Sequence, residues 1–305
     1  MKALLKTFSL STALPLFALL SACSGGGGGG GLASTPTPPP ASYTKIVDMT
    51  GDRTFQTGGI QYNTPPGGGF SNTTSFAFGS GITVAYTAAS DSYKLTAPDG
   101  STVTFDPSNA QTPPAGSNSQ LWVKTVGTTR DQLLLSVPTI SGVPLSYTLI
   151  GSWGHFDTTN VTPGLIRLAV GGAPTIASDM PKTGTATYST SVGGAAFANG
   201  VTPSYTLTGN STSTFSANFG AGTISNALTL AGAQGSGPVT NFGTFTGTGS
   251  IASTGPGFTG TLTGTGATGV YSGAFFGPQA LEMGYEWSLN GGTFTAVGTV
   301  TGLKN

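Results

Sequence analysis

The stretch TFSANFGAGTISNALTL, from Thr214 to Leu230, sorts its side chains with a period of two on both sides of a glycine-containing turn. Successive side chains of a β-strand point to opposite faces of its sheet, so this pattern predicts two antiparallel strands. One face of the pair is mostly apolar, and the other carries Thr, Ser and Asn. The mostly apolar face holds Phe215, Ala217 and Phe219 before the turn, and Ile224, Asn226, Leu228 and Leu230 after it.

The same alternation recurs through the second half of the chain. Roughly eight such segments lie between about Thr183 and Thr301, separated by turns that contain Gly, Pro or Asn. Eight strands is the size at which side chains just fill the interior of a closed barrel. Glycine mixed with phenylalanine on the apolar faces suits a strongly curved sheet. The sequence therefore predicts an eight-stranded antiparallel β-barrel over residues 183–305.

The first half is also β-rich but less regular. Alternating runs are found at 76–78, 82–86, 93–97, 103–105 and 145–153, and Asp99-Gly100 predicts a tight hairpin turn between two of them. A Pro-containing segment from Gly171 to Lys182 has the composition of an interdomain joint. We expect an all-β protein in which a small β-rich domain, residues 45–175, precedes the barrel.

The N-terminus has the features of a bacterial lipoprotein. Residues 1–22 combine two early lysines with a short apolar run, and Leu20-Ser21-Ala22-Cys23 predicts cleavage of a signal peptide before Cys23. Cys23 is then the lipid attachment site, and several acyl chains would hold the protein on a membrane. Residues 23–44, rich in Gly and Pro, predict a tether without a core of its own. Ser24 is not an aspartate retention signal, which favours the outer membrane.

The amino-acid composition limits the classes of function and partner that the chain can have. Charged residues form 7% of the chain; without Lys2 and Lys6 the ten Lys and Arg become eight, against ten Asp and Glu. No basic stripe is available for phosphates, so we expect no nucleic-acid partner. Glu282 and Glu286 are the only glutamates, and His155 is the only histidine.

The sequence contains few residues that could support catalysis. A single histidine cannot form a His-rich metal cluster, and the chain contains no G-x-S-x-G. We therefore expect no enzyme activity, no catalytic residues, no metal site and no cofactor. His155 could ligate haem, but its position between Trp153 and Phe156 favours a residue packed at a domain edge.

A longer motif lies near the C-terminus. GVYSGAFFGPQALEMGYEWSL, from Gly269 to Leu289, resembles the transferrin-binding protein B family, in which a Gly-aromatic-aromatic-Gly-Pro segment joins two barrel strands. SYTLIGSWGHFD, from Ser146 to Asp157, resembles the closing strands of that family's small β domain, the handle. The matching positions are Gly273, Phe275, Phe276, Gly277, Pro278, Ala280, Glu282 and Gly284.

The resemblance implies a surface lipoprotein with one handle and one barrel. It implies binding of a macromolecule or of a haem- or iron-related solute; smaller relatives bind haemoglobin, haem or complement regulators. Transferrin itself is not implied, because the long charged loops of the two-lobed receptors are missing. A structural or adhesive envelope lipoprotein without a discrete ligand is the alternative. A membrane-spanning barrel is least favoured, because it has no use for a lipid anchor. We expect a monomer.

We expect the residues of this motif to have mainly structural roles. Pro278 suits the first position of a single helical turn, and Gly277 and Gly284 permit backbone angles that other residues avoid. Phe275 and Phe276 should point to opposite faces, one into the barrel and one towards the neighbouring domain. For Glu282 we favour hydrogen bonds to local backbone, while a partner contact by Glu282 or Glu286 stays open.

Overall fold

The computed structural model describes residues 41–65, 69–113, 118–159, 164–198, 204–264 and 266–305. The predicted signal peptide, Cys23 and the tether up to residue 40 lie outside the described residues. Regular structure in these ranges is almost entirely β, with three single-turn 3-10 helices at Ile46–Asp48, Pro107–Asn109 and Pro278–Ala280. None of their helices has the length and apolar character needed to cross a bilayer. The all-β class predicted from the sequence is confirmed.

The second half forms one sheet of nine strands. The strands are β14 (Thr185–Ala198), β15 (Tyr205–Leu207), β16 (Thr212–Asn218), β17 (Thr223–Ala233), β18 (Thr240–Ile251), β19 (Gly257–Gly264), β20 (Ala267–Phe276), β21 (Glu282–Gly291) and β22 (Phe294–Lys304). Eight of them pair in a ring, since β14 pairs with both β16 and β22, and the short strand β15 pairs with β14 and β17. This ring fits the eight-stranded antiparallel barrel predicted for residues 183–305.

Aromatic side chains fill the barrel interior. The ring of Tyr271 lies over Gly249 and Gly260, where a Cβ would approach its hydroxyl to 2.5 and 2.4 Å. The Tyr285 hydroxyl lies 2.9 Å from Asn226 Nδ2 and 3.0 Å from Ser213 Oγ, so a buried polar network fixes one side of the core. Glycines thus make room for rings, and the space inside the barrel is occupied by the protein's own side chains.

The first half forms a β-sandwich, the handle. Its four-stranded sheet has the order β1-β4-β5-β6, and its seven-stranded sheet the order β3-β2-β13-β12-β9-β8-β7. Tyr93, Phe105, Leu133 and Trp153 are among the buried residues of the core between the sheets. The strands are β1 (Arg53–Phe55), β2 (Gly58–Thr64), β3 (Ser71–Phe76), β4 (Thr83–Thr87), β5 (Ser92–Thr96), β6 (Thr102–Phe105), β7 (Ala110–Gln111), β8 (Ser119–Val126), β9 (Thr129–Ser136), β12 (Thr148–Asp157) and β13 (Gly164–Gly172), with a separate hairpin of β10 (Thr139–Ile140) and β11 (Val143–Pro144).

The handle packs along one wall of the barrel. Strands β2, β3, β12 and β13 contact β20, β21 and β22. The eight residues from Glu282 to Leu289 in β21 are consequently all buried, whereas β16 alternates between buried and more exposed positions. A strand buried on both faces packs one row of side chains into the barrel and the other against the handle.

Contacts with the handle distinguish the two ends of the barrel. We call proximal the barrel end with the turns 219–222, 252–256 and 277–281, and distal the end with the turns 234–239 and 292–293. The start of β12 lies near the proximal end, where Thr148 Oγ1 bonds Glu282. Phe70 packs on Phe197 at the distal end of β14. The last residues of β12 therefore point in the distal direction, together with the β8–β9 hairpin that pairs beside them.

Candidate functional site

The two adjacent phenylalanines of the motif face in opposite directions. Phe275 lies inside the barrel with its ring centroid 5.0 Å from that of Phe258. Phe276 points outward and is fully buried against the handle, in a cluster with Tyr147 and Val170. Its ring also meets Phe78 edge-on at 6.0 Å. The strand alternation predicts this division, and Phe276 belongs to the joint between the domains rather than to the barrel core.

The turn after Phe276 is tied to the handle by hydrogen bonds. Gly277 has φ +69°, and a Cβ there would come within 2.4 Å of Tyr147 Cδ2. Its amide donates to Ala173 O at 2.9 Å, and its carbonyl accepts from Thr175 Oγ1 at 2.7 Å. Pro278 begins the 3-10 turn that follows, where its missing N–H costs nothing.

Gly284 serves a different purpose from the one predicted. It is absent from the residues with positive φ, so unusual backbone angles do not explain it. Instead, a Cβ at Gly284 would lie 2.5 Å from Val170 Cγ1 of the handle. The glycine is needed for close approach of the two domains, a contact that local sequence does not reveal.

Glu282 accepts three hydrogen bonds from the handle. Its side chain is 1% exposed and receives the Ser146 amide at 2.6 Å, the Tyr147 amide at 2.9 Å and the Thr148 hydroxyl at 2.9 Å. Burial raises the pKa of the Glu282 carboxyl, although these hydrogen bonds act in the lowering direction. Glu282 does bond backbone, as the sequence favours, but that backbone lies over 130 residues away.

Glu286 is also enclosed by the joint. It is 0% exposed and accepts a hydrogen bond from the Val170 amide, while its Oε2 makes no hydrogen bond with the described residues. A Cβ at Gly58 would lie 3.2 Å from that oxygen. Burial raises the pKa of Glu286 well above its ordinary value, and the bond from Val170 only partly opposes this shift. In this arrangement neither glutamate reaches solvent, which argues against direct contact with an external partner.

A second polar cluster holds the end of the tether. Asp179 Oδ2 accepts from the Tyr43 hydroxyl at 2.8 Å and from the Gln279 amide at 2.9 Å. The Tyr43 hydroxyl in turn accepts from the Ile176 amide at 2.9 Å. Burial and the bond to Asp179 raise the pKa of Tyr43 to about 12. The chain thus emerges from its tether at the proximal end of the barrel, a placement that no sequence signal at Tyr43 or Asp179 indicated.

His155 lies at the opposite end of the handle. Its side chain is 47% exposed, and its Nδ1 is 2.8 Å from Asp131 Oδ1. The same oxygen accepts from Trp153 Nε1 at 2.9 Å. His155 is therefore at a domain edge, as the sequence favours, but its ring extends into solvent. Among the described residues no three His, Cys, Asp or Glu side chains cluster closely enough to hold a metal ion.

Two depressions lie at the barrel ends. The proximal one, about 450 Å³, is bounded by the joint residues 177–182 and by the turns at 219–222 and 251–255. The distal one, about 630 Å³, is bounded by the end of β19 and the start of β20, at residues 263, 264 and 266–268, and by the end of β21 with the turn that follows it, at residues 290–292. Exposed apolar side chains occur at both ends: Val126 in the β8–β9 hairpin and Val239 distally, and Ile176 proximally.

The barrel matches a known family. Residues 180–302 match the family model of the C-lobe and N-lobe beta barrels of Tf-binding protein B. The barrel of this chain is therefore similar to the barrels of transferrin-binding protein B, as the segment Phe275-Phe276-Gly277-Pro278 implied. A search of curated proteins returned no match to this sequence.

Several solved structures are similar to this chain. A Tyr-167-Ala and Trp-176-Ala double mutant of transferrin binding protein B from Haemophilus parasuis Hp5 shares 16% identity, with 84% of this chain and 76% of that chain covered and a TM-score of 0.40. HpuA from Kingella denitrificans, in complex with human haemoglobin, shares 19% identity over 90% of this chain and 93% of that one, with a TM-score of 0.39. Isotype 1 transferrin binding protein B from serogroup B Neisseria meningitidis shares 14% identity over 84% and 77%, with a TM-score of 0.37.

Proposed function

We propose that this protein is an outer-membrane lipoprotein, anchored through Cys23, that binds an iron-related host macromolecule at the cell surface. The body is a single handle and barrel, residues 45–175 and 183–305. The binding surface comprises the distal turns of the barrel and the distal hairpin of the handle. The protein acts as a monomer and carries out no reaction on its partner.

The position of the tether carries this proposal. Tyr43 is held at the proximal end by Asp179, and Cys23 lies twenty residues upstream of it. A lipid at Cys23 therefore places the proximal end towards the membrane and the distal end towards the surroundings. A large partner has access to the distal end first, since a bilayer obstructs the other side.

The construction of the domains also supports binding rather than catalysis. Aromatic side chains occupy the barrel interior, and the two glutamates are used within the joint. The match of residues 180–302 to transferrin-binding barrels makes a host iron protein the first class of partner to test. Human haemoglobin, bound by HpuA in the Kingella denitrificans structure, and transferrin are suitable probes.

The test compares exposed apolar residues at the two ends. Val126 is 66% exposed and Val239 50% at the distal end, and Ile176 is 43% exposed at the proximal end. The mature chain with Cys23→Ser is immobilised and exposed to haemoglobin, transferrin and whole serum. Val126→Lys with Val239→Lys should abolish capture, whereas Ile176→Lys, the matched control, should leave it intact.

Two results would count against the proposal. Equal loss of capture in the Ile176→Lys control would place the binding surface elsewhere. Failure to capture any serum component, combined with an envelope defect in a deletion strain, would favour the alternative of a structural or adhesive lipoprotein. Protease treatment of intact cells tests display separately, because a periplasmic protein stays uncleaved.

A further inference from the structure

Glu286 is a fully buried carboxyl group between two domains, and it receives one hydrogen bond from the handle. The Val170 amide donates to its Oε1, while its Oε2 makes no hydrogen bond with the described residues. Ser272 lies directly across from Glu286 on β20, but its hydroxyl donates to Phe76 O at 2.8 Å instead. A buried carboxylate with an unbonded oxygen is strongly disfavoured, so these surroundings favour the protonated carboxyl.

The charged side chains on the neighbouring strands point away from Glu286. Strands β2, β3, β12 and β13 of the handle and β20 and β22 of the barrel pack against β21. Arg167 of β13 lies on the other face of its sheet, where it bonds Asp99 at 2.9 Å. Lys304 of β22 lies at the proximal end of the barrel, with Nζ 3.0 Å from Gln279 O. The other titratable side chains of these strands are Tyr62 beside Val297, Tyr271 and Tyr285 inside the barrel, Glu282, and His155 and Asp157 at the distal end of β12.

Glu282, four residues earlier on the same face of β21, has a different environment. Its carboxyl accepts hydrogen bonds from two backbone amides and from the Thr148 hydroxyl. Three donors can stabilise a carboxylate in a buried position, whereas the single donor at Glu286 cannot. A rise in pH should therefore disturb the joint at Glu286 rather than at Glu282.

The position of Glu286 decides which part of the joint would open. Residues 173–184 connect the two domains and are bonded to the proximal end of the barrel, where the Thr175 amide donates to Phe275 O at 2.9 Å. Glu286 lies about 13 Å beyond Glu282 along β21, in the distal direction. Separation at Glu286 would therefore pivot about the proximal end and displace the distal ends of the two domains most.

We propose that Glu286 is a pH-dependent latch between the handle and the barrel, closed while its carboxyl is protonated and opened distally when it ionises. The O–H bond breaks, the proton passes to solvent, and water entering the joint supplies the hydrogen bonds that the carboxylate needs. The proposed binding surface lies on both domains, so opening would also separate its two parts. That consequence rests on the proposed function, whereas the latch itself does not.

Proton binding fixes the direction of the change. In the open state Glu286 is solvated and has the ordinary pKa of 4.5, whereas burial in the closed state raises its pKa well above that value. The closed state therefore retains its proton to higher pH. The ratio of open to closed chains should rise about ten-fold per pH unit above about pH 4.5, and it should level off once the closed state also ionises.

Energy transfer between dyes at the two distal ends measures this opening. Val126→Cys in the handle and Val239→Cys in the barrel provide the only thiols of a mature chain that carries Cys23→Ser, and both positions are exposed. The transfer efficiency is recorded from pH 4.5 to about pH 9 with dyes that do not titrate in this range. With Glu286 present, the efficiency should fall as pH rises and should recover on return to acid. Far-UV circular dichroism should stay constant, because the domains separate without unfolding.

Two neutral variants test whether Glu286 is the responsible group. Glu286→Gln and Glu286→Met cannot ionise, so both should remain closed and lose the pH response, and the result does not depend on the folding of a single variant. Asp157→Asn, the matched control, removes an exposed carboxyl from the handle and should leave the response unchanged.

Three results would overturn the inference. They are a constant transfer efficiency with Glu286 present, a response that persists in both neutral variants, and a loss of circular dichroism together with the transfer. A latch that responds to pH in a chain that captures no host protein would count against the proposed function alone. Capture of haemoglobin or transferrin by a chain with constant transfer efficiency would refute the latch alone.

Discussion

Phe276→Ala tests whether the handle and the barrel stabilise each other. The ring is fully buried between Tyr147, Val170 and Phe78, so its removal leaves a cavity in the joint. Loss of a buried phenylalanine costs about 3–5 kcal/mol, and the edge-on contact with Phe78 accounts for about 0.5–1.5 kcal/mol of it. In a body of this size, a loss of about 4 kcal/mol lowers the melting temperature by roughly 8–16 °C.

Tryptophan fluorescence can follow the two domains separately. Trp122 and Trp153 are buried in the handle, and Trp287 is buried in the barrel. Single-tryptophan variants, each with and without Phe276→Ala, are unfolded in urea. In the parent proteins we expect the two probes to report coincident transitions. Phe276→Ala should lower both midpoints, because the ring lies in the joint that the domains share.

Phe275→Ala is the matched control. Its ring is equally buried but lies inside the barrel, so the barrel probe should show the larger shift. An unchanged melting temperature in Phe276→Ala would contradict the burial assigned to this ring. A shift confined to the Trp287 probe would show that Phe276 belongs to the barrel alone.

The remaining predictions concern the other residues of the joint. Glu286 has a raised pKa in the folded state, so its contribution to stability is largest below about pH 4.5 and is lost as pH rises towards the folded-state pKa. Glu286→Gln should flatten this decline in urea titrations at several pH values; an unchanged slope would mean that the carboxyl is not buried. Glu282→Ala leaves the amides of Ser146 and Tyr147 unpaired, so it should cost about 2–5 kcal/mol in the free energy of unfolding, and a loss below 1 kcal/mol would contradict these bonds. Gly284→Val should separate the domains by its clash with the handle, detectable as faster proteolysis between residues 172 and 185, whereas resistance equal to wild type would show that the joint can adapt.

The local sequence pattern was sufficient to predict the strands and the opposite directions of neighbouring side chains. Phe275 and Phe276 were placed on opposite faces because the period of a strand is fixed by its backbone. Pro278 at the start of a helical turn likewise followed from its missing N–H. Both features depend on the local geometry of the backbone, so they could be predicted from the sequence.

The roles of the joint residues could not be read in this way. Asp179 and Tyr43 are 136 residues apart, and no periodicity links them. Gly284 suggested an unusual backbone angle, whereas its real constraint is the Val170 side chain of another domain. The carboxylate beside His155 belongs to Asp131 on β9, 24 residues earlier, and no pattern in the sequence predicted this contact.

The sequence by itself determined an all-β chain and the ring of strands in its second half, while the lipoprotein signal at Cys23 stays a prediction. Those features depend on side-chain alternation, on turn residues and on composition, which act over a few positions. Only the tertiary structure decided that β21, most of β22 and the second half of β20 are buried on both faces, that the two glutamates are enclosed, and that His155 is exposed beside the Asp131 carboxylate. Burial and pairing depend on which distant segments come together. The pKa of a carboxyl depends far more on that burial and pairing than on the neighbouring residues in the chain.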